Sequence, residues 1–287
     1  MRDRGFTLVE LLVSIGLMGI AAAAIGSVFV SGLRTYSRQI ELSHVRANLR
    51  LANATLTREL RGLDAGDSQG SDISEMLPSS LTYRAARSTY FLCTVPDVAR
   101  STLTVWQSPF AGLRQIELGR DSLLLFAENE VATPLDNVWV PAAVSSVTAG
   151  QFCPGGDAGL RLVVDGVSPG ALEGLHRGSV VRGFQNTTLL LYSDPAGRSW
   201  VGLREWRPGS GWSITQPLLG PVTRDGLRFE YFAAGGGPAT TPAEIVRISV
   251  KIVGVGSQRV AAGVGSHRQI RDSLVVHVGL RNNPRPW

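Results

Sequence analysis

The sequence predicts an α+β protein, with one very long N-terminal helix packed on an antiparallel β-sheet domain. Two observations carry this. From Leu11 to Leu33 the chain has no charge, and apolar residues then recur at spacings of three and four as far as Leu63. Later on come short β-branched and aromatic runs bounded by Gly, Pro, Asp or Asn.

The helix comes first. About 20 apolar residues span a bilayer as a helix, so residues 6–33 read as a transmembrane segment. Its small residues, Gly16, Gly19, Ala21 to Ala24, Gly26, Ser27, Ser31 and Gly32, suit close helix–helix approach in lipid. The alternative for this feature is a small-residue-rich single anchor. Residues 34–65 read as an amphipathic extension of the same helix. Leu42, Val45, Leu49, Ala52, Leu56, Leu60 and Leu63 fall within an arc of roughly 80°, with Arg46, Arg50, Arg58 and Arg61 opposite. Gly62, Asp64 and Gly66 supply the stop. A helix from Phe6 to Leu63 would be about 85 Å long.

Residues 66–287 read as one β-rich domain, beginning with a loop at 66–80. Strand signals lie at Leu103–Gln107, Ser122–Phe126, Leu160–Val164, Thr188–Tyr192, Val201–Trp206, Pro217–Val222, Leu227–Phe232, Ile245–Val253 and Ser273–Leu280. Pro154–Gly156, Pro208–Gly211 and Gly235–Pro238 read as loops. The stretch 80–180 gives no arrangement of its own.

The head of the helix is the most specific feature. A short basic leader, Met1 to Gly5, meets Phe6-Thr7-Leu8-Val9-Glu10. A carboxylate inside a membrane segment costs a few kcal/mol unless it is partnered. Cutting after Gly5 would supply a partner, the new amino group of Phe6. An ordinary secretory signal is the main rival, and Ala21 to Ala24 could mimic its cleavage site. However, its apolar core usually runs only about 7–15 residues, and an acid within it is unusual.

This join resembles the prepilin leader of type IV pilins and of secretion and competence pseudopilins. The resemblance implies peptidase cleavage at Gly5 and Phe6, N-methylation of Phe6, and a filament-register role for Glu10. It also implies a single-pass inner-membrane protein with a cytoplasmic N-terminus and a periplasmic or extracellular domain. Its implied partners are other pilins, met through the N-terminal helix, and the prepilin peptidase. The strand order from residue 200 to Val278-Gly279-Leu280-Arg281-Asn282-Asn283 is similar to that of the larger minor pilins of the PilW and J-type pseudopilin group. The expected function is therefore that of a minor pilin or pseudopilin that initiates or caps filament assembly. In an extracytoplasmic domain Cys93 and Cys153, the only cysteines, pair in a disulfide, the alternative being two isolated buried thiols.

No catalytic constellation is visible, so no enzyme, cofactor or metal site is expected. His44, His176, His267 and His277 have no Asp or Cys at motif spacing. Gly254-Val255-Gly256 lacks the third glycine and helix of a dinucleotide fingerprint. Asp64, Asp67 and Asp72 fail the calcium-loop spacing and read as a solvated loop ending the helix. Net charge is +5, almost all of the basic residues being Arg, with Lys251 the only Lys. Arg204, Trp206, Arg207 and Trp212, together with His267, Arg268 and Arg271, raise the alternative of a DNA-uptake pilin. The competing reading is an ordinary solvated basic face.

Overall fold

The computed structural model describes residues 7–66, 71–128, 137–263 and 266–280. Helix α1 runs Leu8–Arg61, about 81 Å at 1.5 Å per residue. Thr7 caps it at the start and Gly62 at the end. Residues 8–40 are exposed throughout. The C-terminal half then buries Val45, Leu49, Ala52, Leu56 and Leu60. Of the expected stripe, Leu42 is only half-buried and Leu63 is buried just beyond the helix end.

Thirteen strands follow among the described residues, in one antiparallel sheet. They are β1 (Ile73–Met76), β2 (Ser80–Phe91), β3 (Thr102–Trp106), β4 (Ala111–Gly112), β5 (Ser122–Ala127), β6 (Val138–Phe152) and β7 (Ala158–Asp165), followed after helix α2 (Pro169–Glu173) by β8 (Val180–Ser193), β9 (Ser199–Arg207), β10 (Gly211–Trp212), β11 (Gln216–Phe232), β12 (Arg247–Gly263) and β13 (Ser266–Gly279). The expected loop at 66–80 is corrected: it contains β1, which pairs with β2. Pro217–Val222 and Leu227–Phe232 belong to one strand, β11, whose pairing shifts register between Val222 and Leu227.

The sheet divides into two apolar cores. In the first, α1 packs over β11, β12 and β13, with side chains from β2, β8 and β9 completing the layer. The second explains the stretch that sequence reading left unassigned. Strand β8 carries β2 on one edge; the other edge holds β9 along 187–193 and β5 along 181–184. From β5 the pairing passes to β6, β7 and β3. It returns to the end of β2 through the Leu92–Val105 bridge, where the Cys93 amide donates to the Thr104 carbonyl at 2.9 Å. The result is a closed six-stranded ring filled by Tyr90, Leu92, Leu103, Leu123, Leu162 and their neighbours. The ring starts and ends at one point, because Phe91 pairs with Val180.

Cys93 and Cys153 are joined by a disulfide at the rim of this ring, with Cα atoms 5.6 Å apart. Gly159 lies so close that an added Cβ would sit 3.3 Å from the Cys153 sulfur.

Candidate functional site

The candidate site is helix α1 and the surfaces it brings together. At its head, Thr7-Leu8-Val9-Glu10 forms a capping box. The Glu10 amide donates to Thr7 Oγ1 at 3.3 Å, and the Thr7 amide and hydroxyl donate to Glu10 Oε2 at 3.2 and 3.1 Å. The carboxylate is therefore held one turn back, at the helix entry, by its own chain. The Thr-x-x-Glu spacing of this box is legible in the sequence, and it adds a local partner for Glu10 to the Phe6 amine and the register role expected of it. Gly5 and Phe6 lie outside the described residues.

From Leu8 to Gly32 the helix is exposed on every side. An apolar window of mean hydropathy 2.3 is 0% buried, unlike the core helix of a soluble protein. Large side chains stand in the open, Leu8 at 75% and Val28 at 72% exposure, and a Cβ added at Gly16, Gly19, Gly26 or Gly32 would meet open space. Length and apolarity suit a bilayer span, and the small residues suit close contact with another helix.

The far half is clamped. Gly254 faces Val45 and Leu49, where an added Cβ would be 3.1 and 3.5 Å away. Gly256 faces Glu41, whose Oε2 would lie 2.8 Å from such a Cβ. Thus Gly254-Val255-Gly256 lies inside β12 and admits the helix. Glu41 is buried and accepts from the Ser257 hydroxyl at 3.4 Å and the Gln258 amide at 3.5 Å. Arg46 pairs with Asp272 at 3.1 Å, and its hydrogen bond is the chief cause holding that carboxyl below the usual range. Near the top, Arg87 and Glu59 form an ion pair at 3.0 Å with both side chains nearly covered. Burial, and then the adjacent Glu59 charge, push the Tyr83 hydroxyl well above its ordinary value.

The remaining expected residues are scattered. His44 is on α1, His176 follows α2, and His267 and His277 lie on β13; all are exposed. No cluster of three metal-ligating side chains occurs among the described residues. Asp72 accepts from the Asp64 amide at 2.9 Å and pairs with Arg84 at 3.0 Å, so these two acids close the turn after the helix. Asp67 lies outside the described residues. Arg204 covers the Trp212 ring at 4.7 Å, and Trp206 meets Trp212 edge-on at 5.6 Å. His267, Arg268 and Arg271 are elsewhere, beside Arg38 of α1 and Arg259 of β12.

Residues 1–26 match the family model described as the prokaryotic N-terminal methylation motif, which is typical of type IV prepilin-like proteins. No curated protein matches the chain. No solved structure matches it.

Proposed function

We propose that this chain is a minor pilin or pseudopilin, PilW-like or J-like. It is a low-copy structural subunit that initiates or caps assembly of a type IV pilus or a type II secretion pseudopilus. It is the substrate of an enzyme rather than an enzyme. The observation that carries this reading is α1, whose bare, small-residue-rich apolar half is headed by Glu10 and continuous with a half clamped in the sheet. Such an element holds a rigid domain at a fixed distance from a helical bundle.

On this reading prepilin peptidase removes residues 1–5, and Phe6 becomes the methylated N-terminus. Residues 6–33 span the inner membrane with the N-terminus cytoplasmic. Residues 34–65 carry the helix into the periplasmic or extracellular domain, 66–287. Glu10 caps its own helix through Thr7 in the free subunit. Assembly exchanges that contact for the charged Phe6 amine of an adjacent subunit, and this exchange sets the register.

Mass spectrometry of membrane-extracted protein should find Phe6 at the N-terminus bearing one methyl group, and Gly5→Arg should block the cut. A mature start near Ala24 or Ile25 would overturn the reading. Glu10→Ala should be cut, anchored and folded, yet fail to co-purify with partner pilins. Normal filament counts in both that strain and a full deletion would remove the assembly role.

The second reading, a DNA-uptake pilin, draws on the exposed Trp206 and Trp212 with Arg204 stacked beside them. Aromatic faces with arginine bind bases with little sequence preference. A salt-dependent electrophoretic shift of the full chain with DNA, abolished in Trp212→Ala, would favour it.

A further inference from the structure

The β12–β13 hairpin runs down α1 toward the apolar half. Its level can be read from its contacts: Gly254 lies beside Val45 and Leu49, and Gly256 and Gln258 lie beside Glu41. Arg259 then lines a cleft of about 610 Å³ with Arg38, and across the ladder the same cleft receives His267, Arg268 and Arg271. Four arginines from three elements meet there, no acid lines the cleft, and each of them is exposed. Among the described residues none of the four has a carboxylate partner. By contrast Arg46, about two turns higher on α1 than Arg38, is paired with Asp272.

The height of this cleft decides its ligand. Arg38 is five residues past Leu33, about 7.5 Å along the axis. The headgroup layer extends roughly 5–8 Å beyond the hydrocarbon on each side. On the membrane reading Arg38 therefore stands at the level of the lipid phosphates, with Arg259 and Arg268 lining the same cleft and Arg271, opposite Val255, above them, and guanidinium forks match phosphate oxygens. A DNA duplex would have to enter the headgroup layer to reach them.

We propose that this cleft binds the headgroups of anionic phospholipids and so docks the base of the domain on the membrane that holds its own helix. The proposal rests on the membrane reading of α1. Docking fixes the tilt of the domain over the bilayer before the subunit leaves it.

The test uses the full chain in nanodiscs of phosphatidylcholine alone, or with a third of the lipid replaced by phosphatidylglycerol. Hydrogen–deuterium exchange is followed over residues 257–271. Exchange should slow about fivefold or more in the anionic discs, and the slowing should vanish at high salt. It should also vanish in the Arg38→Gln, Arg259→Gln, Arg268→Gln and Arg271→Gln quadruple variant, with β8 amides unchanged. Equal exchange in the two lipids would overturn the proposal without any variant, and so would a folded quadruple variant that keeps the slowing. Equal slowing by a duplex oligonucleotide in neutral discs would assign the cleft to nucleic acid instead. A chain that stays soluble without lipid or detergent would sink the membrane reading itself, a distinct failure.

Discussion

Arg87 and Glu59 face each other under the helix, and Arg87 also reaches Thr187 Oγ1 at 3.4 Å. Removing one partner leaves an uncompensated buried charge, which costs about 3–5 kcal/mol. Glu59→Ala should lower the melting temperature of the detergent-solubilised chain accordingly. The paired change Glu59→Leu with Arg87→Met should recover most of the loss, because apolar groups of similar volume can replace a buried pair. Thr7→Val belongs to the same scale with the opposite expectation. It removes a cap worth about 1 kcal/mol, but from a turn outside both cores. Fraying of the first turn, seen by exchange at Glu10 and Leu11, should rise while the melting temperature stays put.

Among the elements, α1 depends on β12 and β13, the strands it packs over most. Leu56 is fully buried, and burying a Leu is worth roughly 1.5–3 kcal/mol. Leu56→Asp adds the cost of an unpaired charge and should leave the chain aggregated; a variant that melts like the parent would mean the stripe does not pack. Gly254→Val should push the helix off the strand, because even a Cβ there comes within 3.1 Å of Val45. The helix was legible because its signals, apolarity and three-four spacing, are local. Strand β2 was not, because Thr82, Arg84, Arg87 and Ser88 interrupt its apolar pattern. Thr82 is matched by Thr188 at 3.0 Å, Arg84 by Asp72 and Arg87 by Glu59, partners no local window contains. Glu41 was missed for the same reason, its partner Ser257 lying 216 residues away. In β6, Pro141 and a largely exposed pattern argue against a strand, and only the pairing with β5 and β7 reveals it.

At the scale of the molecule, the two cores make different predictions. The disulfide closes a loop of sequence separation 60 within the ring alone, and a crosslink of that span is worth about 4 kcal/mol in the chain-entropy account. Thiol labelling under denaturing, non-reducing conditions should modify neither cysteine. Cys93→Ser with Cys153→Ser should speed amide exchange in β3, β5 and β7 while β12 and β13, in the other core, keep their protection. Two freely labelled thiols in the parent would count against the bridge. The alignment of helix and hairpin has a mechanical meaning as well. Between Leu49 and Glu41 the helix descends about 12 Å, and β12 from Gly254 to Gln258 covers about 13 Å beside it, so the two run side by side. A pull along the helix therefore loads the β11–β12–β13 ladders lengthwise, and many hydrogen bonds must yield at once. Traction applied at the N-terminus and resisted at β13 would be borne in shear by the helix and its three strands, with the ring outside the loaded path.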